Sequence, residues 1–460
     1  MTIGPMNKQI IVFGASGDLA SLKLFPAIFE LFLQKQLSGN FQIIGYARSA
    51  MELDKFRELF KKSLLEKFSS YQKEIDQLLE RVFYFQGQYN QAQDYQKLES
   101  FCQELSKGEK SEQLAYFSVP PVVFSDLIEN LANTLKKSAA KFQIIIEKPF
   151  GVDEKTAEIL FGKIAEFFDE EDVFLLDHYL GKRPVQSILK LRMENNVINL
   201  MIRPQEIESI EITAFEQNDA STRVGYYDQV GALKDMIQSH LIQILTLITM
   251  EIPANDDLES LRREKQSIIS ALKFSGKASD LLLGQYKSYK SHPGVPENSN
   301  TDTFAAVNVQ IDKRDWYKVP IRLITGKKLS KALTRATITF KKMPFQGIEL
   351  TNNKLVFEVK PGESVGLGLV QRATILKGAE PQFEEFNLSQ GLGCKVDFCL
   401  SEYASLILDA LNNVKTYFLS FPEIVAAWKL VDGIEAVRKN ENIKCIVYED
   451  GSNGPTFQEI

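Results

Sequence analysis

The fold of the N-terminal half is predicted by Gln9-Ile10-Ile11-Val12-Phe13-Gly14-Ala15-Ser16-Gly17-Asp18-Leu19. The first five residues form a short apolar run that ends at a glycine, which is typical of a buried strand in a parallel sheet. A helical pattern follows from Leu19. Two glycines between a strand and a helix let the backbone approach a phosphate, and the helix N-terminus supplies N–H donors. Because the glycine motif here differs from the usual G-x-G-x-x-G, a tight turn between strand and helix with no phosphate is the alternative.

Strands and helices alternate through the first 180 residues, which predicts an α/β Rossmann-type parallel sheet. The expected elements include one long helix over 51–78 and strands at 41–46, 114–119, 142–146 and 173–176. After about residue 180 the pattern changes. A long helix is expected over 231–252, and successive strands at 304–312, 334–342, 354–359 and 364–372 predict an α+β domain with a large, mostly antiparallel sheet. Residues 288–302, rich in Ser, Pro and Asn, are expected to form an exposed loop.

Composition excludes several classes of protein. The 460 residues are 44% hydrophobic and 25% charged, with a net charge of −6, so nucleic acid is not expected as a partner. The four cysteines, at 102, 394, 399 and 445, lack metal-binding spacing, so we expect no metal and reduced thiols in the cytoplasm. No signal peptide is evident. The longest apolar stretch, 241–250, is too short to cross a bilayer, so no membrane partner is expected.

The residues after the second strand indicate which dinucleotide would bind. That strand leads into Gly45-Tyr46-Ala47-Arg48-Ser49. In dinucleotide-binding folds an acid at this place takes the 2′-hydroxyl of NAD, whereas an arginine accommodates the 2′-phosphate of NADP. Arg48 therefore favours NADP, and a surface arginine at a strand end is the alternative.

Chemically active side chains concentrate in Asp177-His178-Tyr179-Leu180-Gly181-Lys182, directly after the strand at 173–176. The chain has only three histidines, at 178, 240 and 292. Since α/β sheets bind ligands at the carboxyl ends of their strands, the segment is a candidate site. His178, Tyr179 and Lys182 would suit a phosphate, because lysine brings a charge and tyrosine a directed donor. A solvated loop is the alternative.

His240 is the candidate general base. It follows Lys234-Asp235-Met236-Ile237-Gln238-Ser239 in a predicted helix. A carboxylate behind an imidazole fixes its tautomer and stabilises its cation, and Asp177 is expected to serve this purpose across the two domains. Such a base can take a proton from an alcohol while a hydride leaves. A Ser-His-Asp hydrolase is the rival use of these groups, but no G-x-S-x-G motif is present.

These motifs resemble the glucose-6-phosphate dehydrogenase family, in order and spacing, from Ile10 to about Ile434. The residues that carry the resemblance are Gly14 to Leu19 with Lys23 and Pro26, Glu147-Lys148-Pro149-Phe150-Gly151, Asp177 to Lys182, Gly225 to His240, Val319-Pro320 and Thr325-Gly326-Lys327. The resemblance implies the first step of the oxidative pentose phosphate pathway, in which glucose 6-phosphate is oxidised at C1 to 6-phosphoglucono-δ-lactone by NADP⁺. It also implies a cis proline at 149.

The resemblance assigns a role to each candidate residue. His240 would be the base and Asp177 its orienting acid. Further residues would bind the substrate, namely His178, Tyr179, Lys182, Glu216, Asp235, Lys327 and Lys23. The coenzyme would contact Gly14, Ala15, Ser16, Gly17, Asp18, Leu19, Arg48 and Lys148. The implied domains are a dinucleotide-binding domain at 1–180 and a substrate-binding and dimerisation domain at 181–460. A homodimer or a dimer of dimers is expected.

Some positions depart from the family pattern, notably Arg183, Ser239 and Ala332. The alternatives are a dehydrogenase of the same family for another hexose phosphate or with dual use of NAD and NADP, a catalytically silent regulatory paralogue, and a wider-family oxidoreductase with the same two-domain layout. Retention of Asp177, His240, Lys182 and Lys148 argues against the silent paralogue, because a regulatory protein has no need of a positioned base. The wider-family oxidoreductase would not explain the motif from Asp177 to Lys182. His292 is expected to be exposed and without function.

Overall fold

A computed structural model describes residues 7–37, 39–255, 257–342, 351–371, 382–388 and 399–457. The chain divides into two compact units. Unit 1 falls within Met1–Gly151, Lys155–Gly181 and Phe398–Phe421, and unit 2 within Val152–Glu154, Lys182–Asp397 and Pro422–Ile460. The predicted boundary at 180/181 remains a prediction, and it differs from these units chiefly because residues 399–421 belong to unit 1.

Unit 1 contains a six-stranded parallel sheet, which confirms the predicted Rossmann-type fold. Its strands are β1 (Lys8–Phe13), β2 (Phe41–Ala47), β3 (Val82–Gln86), β4 (Glu112–Phe117), β5 (Lys141–Glu147) and β6 (Val173–Leu176). Their order in the sheet is β3-β2-β1-β4-β5-β6. The order reverses between β1 and β4, which is where open α/β sheets form a ligand crevice.

Unit 2 contains a ten-stranded mixed sheet that is mostly antiparallel, as predicted. Its strands are β7 (Ile207–Phe215), β8 (Leu272–Phe274), β9 (Leu281–Tyr286), β10 (Phe304–Ile311), β11 (Ile321–Gly326), β12 (Leu333–Phe340), β13 (Lys354–Lys360), β14 (Ser364–Gln371), β15 (Gln382–Asn387) and β16 (Ile446–Tyr448). The order is β15-β14-β13-β12-β7-β11-β10-β9-β16, with β8 beside β10. Two pairs, β7 with β11 and β9 with β16, run parallel.

Helices occur throughout both units. The α-helices are α1 (Phe25–Leu33), α2 (Leu53–Phe68), α3 (Gln72–Leu79), α4 (Ala92–Leu105), α5 (Phe124–Asn133), α6 (Leu135–Ser138), α7 (Glu154–Ala165), α8 (Arg183–Glu194), α9 (Asn196–Met201), α10 (Val224–Ala232), α11 (Ile242–Thr249), α12 (Leu258–Ile269), α13 (Glu402–Leu411) and α14 (Phe421–Asn440). Ala20–Leu24 and Leu233–Leu241 are π-helical. Short 3₁₀ turns are Pro121–Val123, Glu170–Asp172, His178–Gly181, Pro204–Glu206, Ser221–Arg223, Ala278–Asp280 and Tyr289–Ser291.

Two predicted long helices are interrupted. The helix expected over 51–78 divides into α2 and α3, because the chain turns so that Phe68 and Tyr71 both pack against Phe29. The helix expected over 231–252 begins earlier, at Val224, and is kinked at Gly231, whose φ of 71° and ψ of 175° are not helical. The π-helix after this kink carries the candidate base.

Candidate active site

The turn after β1 has the geometry of a phosphate site. Gly14 has a φ of 85°, and its N–H donates to the Tyr46 carbonyl at 2.8 Å. Residues 16–18 are exposed, and the helical stretch Ala20–Leu24 begins directly after them. The turn therefore presents open backbone at a helix N-terminus, beside the point where the strand order reverses. These features fit the pyrophosphate of a dinucleotide.

Arg48 follows β2 and is exposed. Its guanidinium lies 5.5 Å from the centroid of the Tyr89 ring, and its backbone oxygen accepts from Gln86 Nε2 at 3.3 Å. A cation over an aromatic face is held by the negative potential of that face. Since β2 pairs with β1, Arg48 stands at the same sheet edge as the glycine turn. The pair of features fits a phosphorylated dinucleotide.

The Asp177 segment lies at the carboxyl end of β6. Asp177 is completely buried, and its Oδ1 accepts the Tyr179 N–H at 2.9 Å. Because β5 and β6 are parallel and pair Glu147 with Leu176, this segment shares a sheet edge with Lys148. The Lys148–Pro149 peptide is cis, as the resemblance implied.

Tyr403 of α13 gathers two of the predicted substrate residues. The His178 ring stacks nearly parallel to the Tyr403 ring, with an interplanar angle of 7° and a centroid distance of 6.3 Å. The Lys23 ammonium lies 5.9 Å from the Tyr403 ring centroid and 3.7 Å from the Glu402 carboxylate. Tyr403 was not among the residues predicted from the sequence. It lies far along the chain from the residues that it supports, and no local motif marks it.

Glu147 is a second residue without a predicted role, although it belongs to one of the motifs. Tyr116 of β4 donates a short hydrogen bond to its carboxyl. Desolvation raises the pKa of Glu147 to about 7, although hydrogen bonds from Tyr116 and Tyr403 and the charge of Lys148 act in the opposite direction. The Asp177 carboxylate adds to the increase. An acid that titrates near neutral pH thus lies directly beside Lys148.

Replacement of Glu147 by Gln is expected to change how stability depends on pH. The folded protein keeps a proton on Glu147 up to about pH 7, whereas the carboxyl of the unfolded chain, with its ordinary value of 4.5, releases it earlier. The contribution of protonated Glu147 to the free energy of unfolding is therefore complete below about pH 4.5. It is lost as the pH rises through about 7. Relative to the parent, Glu147→Gln should gain about 2 kcal/mol between pH 5 and pH 8, allowing for partial exposure. Urea unfolding across this range measures the difference.

Glu104 offers a matched control, because its side chain is exposed in α4. Glu104→Gln should follow the parent at every pH. If the difference between Glu147→Gln and the parent is the same at pH 5 and pH 8, Glu147 does not titrate as described.

In unit 2, strand pairing brings Glu216 and Lys327 together. The parallel strands β7 and β11 pair Phe215 with Gly326, so the residues that follow them emerge side by side. Lys327 Nζ forms a short ion pair with Glu216 Oε2 and lies 5.1 Å from the centroid of the Tyr227 ring. The Glu216 carboxylate can accept from one hydroxyl of a sugar, and the Lys327 ammonium beside it can donate to another.

The π-helix Leu233–Leu241 carries Asp235 and His240. His240 is 1% exposed, whereas Asp235 is only partly buried. The Ser239 hydroxyl donates to the Asp235 carbonyl at 3.0 Å, so Ser239 is bonded within the helix backbone. π-Helical stretches often occur at functional sites. The predicted pairing of Asp177 with His240 remains a prediction.

Lys182 precedes α8 and is partly buried. The next residue, Arg183, forms a 2.8 Å ion pair with Glu363, and both side chains are about half exposed. Arg183 thus contacts a surface carboxylate. His292 is only partly buried, but its Nε2 lies 2.9 Å from the Tyr286 hydroxyl, which gives it a structural contact that the sequence did not indicate.

Comparisons with known proteins agree with this geometry. Residues 11–187 match the family model "Glucose-6-phosphate dehydrogenase, NAD binding domain", and residues 189–459 match "Glucose-6-phosphate dehydrogenase, C-terminal domain". A glucose-6-phosphate 1-dehydrogenase of Cyberlindnera jadinii is 35% identical, over 97% of this chain and 92% of the relative.

Two solved structures are similar over almost the whole chain. A glucose-6-phosphate dehydrogenase in complex with its substrate glucose-6-phosphate gives a TM-score of 0.91 at 32% identity, covering 99% of this chain and 96% of the other. A glucose-6-phosphate 1-dehydrogenase from Mycobacterium avium gives 0.83 at 27%, covering 98% and 96%. The family models matched by the two halves of the sequence thus agree with the fold, and the chain belongs to the glucose-6-phosphate dehydrogenase family.

Proposed function

We propose that the protein oxidises D-glucose 6-phosphate at C1 to 6-phospho-D-glucono-1,5-lactone, the first step of the oxidative pentose phosphate pathway. The observation that carries the proposal is the likeness, at a TM-score of 0.91 over 99% of this chain, to a family member in complex with that substrate. The candidate base and the candidate sugar-binding residues are all present in the sequence.

The substrate residues divide by chemistry. His178, Tyr179 and Lys182 bind the phosphate, since cations and directed donors stabilise phosphate oxygens. The sugar hydroxyls contact a second set, consisting of Glu216, Asp235, Lys327 and Lys23. The ion pair of Glu216 with Lys327 supports this division, because it holds an acceptor and a donor side by side.

His240 takes the proton from the C1 hydroxyl, and Asp177 orients the imidazole and stabilises the cation that forms. Burial of His240 supports this role, because a base shielded from water keeps a fixed orientation toward the hydroxyl. A bound NADP⁺, held by the glycine turn and Arg48, would supply the acceptor for the hydride that leaves C1.

NADP is the proposed coenzyme. The glycine turn from Gly14 to Leu19 would hold its pyrophosphate, Arg48 its 2′-phosphate, and Lys148 would stand between coenzyme and substrate. The exposed guanidinium of Arg48 at the end of β2 supports the choice over NAD, because no acid stands directly after that strand.

A cytoplasmic homodimer, or a dimer of dimers, is the proposed state. Cys102, Cys399 and Cys445 are free thiols, as is usual in a reducing compartment. In the ranges that the structure describes, every helix is too short or too polar to span a bilayer. The sheet of unit 2 is the proposed interface. Light scattering should give twice or four times the 52.2 kDa chain mass.

The direct experiment is nicotinamide reduction by the purified protein with glucose 6-phosphate, in parallel with NADP⁺ and NAD⁺. Turnover with NADP⁺ supports the proposal, and comparable turnover with NAD⁺ would indicate dual use. Faster turnover with another hexose phosphate would contradict the assignment of glucose 6-phosphate as the substrate. Sugar phosphate binding without turnover would indicate a silent regulatory paralogue.

Arg48→Ala is expected to change the coenzyme ratio. Loss of a charge-assisted contact should lower kcat/KM for NADP⁺ by about tenfold to a hundredfold and leave kcat/KM for NAD⁺ nearly unchanged. Steady-state kinetics with both coenzymes measures the effect. Arg81 is a suitable control, because its guanidinium also lies over a ring, 4.5 Å from the Phe41 centroid. Arg81→Ala should leave the coenzyme ratio unchanged. If Arg48→Ala lowers kcat/KM equally for NAD⁺ and NADP⁺, Arg48 does not bind the 2′-phosphate.

A further inference from the structure

Asp302 is buried in unit 2, although the sequence predicted an exposed loop that ends there. It is 1% exposed. Its backbone oxygen accepts the Ala232 N–H at 2.8 Å, and its Oδ2 accepts the Leu233 N–H at 2.8 Å. Leu233 is the first residue of the π-helix Leu233–Leu241. Asp302 thus satisfies two donors at the start of this helix, where the backbone has no partners of its own.

Gly231 leaves the space that the Asp302 carboxylate occupies. A Cβ on Gly231 would lie 2.6 Å from Asp302 Oδ1 and 2.9 Å from its Cγ. The φ of 71° at Gly231 also favours glycine. The kink and the carboxylate therefore fit one another, and the kink turns the N–H groups of Ala232 and Leu233 toward Asp302.

Arg438 holds the carboxylate from the other side. Its Nη1 lies 2.8 Å from Asp302 Oδ1, and its Nη2 donates to the Asn300 carbonyl at 2.6 Å. Burial opposes the charge of Arg438, but Asp302 and Glu435 outweigh this and raise its pKa above the ordinary value. A charged pair thus lies at the helix N-terminus, where the negative charge of Asp302 interacts favourably with the positive end of the helix dipole.

The neighbouring residue ties the same segment to Lys327. The Thr303 carbonyl accepts the Lys327 N–H at 2.9 Å, and the Thr303 N–H donates to the Gly284 carbonyl at 2.8 Å. Residues 302 and 303 therefore contact both the helix that carries Asp235 and His240 and the backbone of Lys327.

We propose that Asp302 is a positioning residue for catalysis, which holds the N-terminus of the Leu233–Leu241 helix in the orientation that the reaction needs. Arg438 is its partner and fixes the carboxylate. The inference rests on the proposed roles of Asp235 and His240, which this helix carries. Without the Asp302 carboxylate the Leu233 N–H loses its acceptor, and the two side chains shift relative to the sugar.

The test compares Asp302→Asn with the double variant Asp302→Ala/Arg438→Met, which leaves no unpaired buried cation. We expect kcat to fall by about tenfold to a hundredfold in the double variant, because small displacements of reacting groups have large effects on rate. The KM for glucose 6-phosphate should rise, whereas the KM for NADP⁺ should stay within about twofold. Asn keeps one acceptor, so Asp302→Asn should retain more activity than the double variant.

Asp257 is the matched control. It caps α12 in the same unit, where its Oδ1 accepts the Ser260 N–H at 2.7 Å. Asp257→Ala should lower the unfolding temperature and leave kcat and both KM values unchanged. Unchanged kinetics in both Asp302 variants, or an equal loss of kcat in Asp257→Ala, would overturn the proposal.

Calorimetric binding of glucose 6-phosphate separates this proposal from the proposed function. If the wild-type protein binds the sugar phosphate without turnover, the proposed function fails, but weaker binding by Asp302→Asn than by Asp257→Ala still supports the positioning role. Equal binding by the two variants and the wild type would overturn that role.

Discussion

His240→Asn is expected to lower kcat by about a thousandfold, the middle of the range for loss of a general base. The imidazole is 1% exposed, so water has little access to replace it as proton acceptor. Asparagine is close in size and polar, but it cannot take up a proton at neutral pH. The KM for glucose 6-phosphate should change by less than about threefold, because the phosphate and sugar contacts lie on other residues. Steady-state kinetics with NADP⁺ measures both quantities.

His292→Asn is the control for this variant. His292 has an observed partner, the Tyr286 hydroxyl at 2.9 Å, so its loss should reduce stability slightly without a change in kcat. Binding of glucose 6-phosphate to His240→Asn, measured by calorimetry, shows whether the variant is still folded around the substrate. Normal turnover by His240→Asn would contradict its assignment as the base.

The sequence predicted the parts of the fold that depend on local pattern. The apolar run before Gly14 and the run before Asp177 are β1 and β6 of the parallel sheet, because a strand buried on both faces is continuously apolar. The strand β7 was missed, although Ile207, Ile210 and Ile212 are among its buried positions. Its pairing with β11 is parallel inside a mostly antiparallel sheet, and a local pattern carries no information about the partner of a strand.

Long-range contacts account for what the sequence could not predict in the site. Individual residues such as Glu216 and Lys327 were assigned through the resemblance, but their ion pair depends on the register of β7 and β11. The kink at Gly231 depends on Asp302, 71 residues later by their numbers. Tyr403 reaches His178 from the C-terminal part of the chain. These contacts join segments that are far apart in sequence, so no motif in either segment indicates them.

Gly14→Ala is expected to be the most disruptive substitution in the nucleotide turn. A Cβ at this position would lie 2.1 Å from the Ser118 backbone oxygen and 2.9 Å from Val119 Cγ1. The backbones at Gly14 and Ser118 cannot move apart freely, because the Ser118 N–H donates to the Phe13 carbonyl at 2.9 Å at the end of the β1–β4 ladder. Left-handed strain and the clash together should reduce the free energy of unfolding by about 3 kcal/mol or more. The KM for NADP⁺ should rise by about a hundredfold, because the turn can no longer approach the pyrophosphate.

Gly108→Ala separates conformational strain from the clash, since Gly108 has a φ of 79° but no heavy atom within 4 Å of the place that a Cβ would take. It should lose only about 1 kcal/mol of stability, the cost of the backbone conformation alone, and keep its KM for NADP⁺. Urea unfolding and coenzyme kinetics of the two variants therefore measure the two effects independently. If Gly14→Ala binds NADP⁺ normally at a temperature where it is folded, the turn after β1 is not the coenzyme site, and the fit of Arg48 to a 2′-phosphate loses its structural basis.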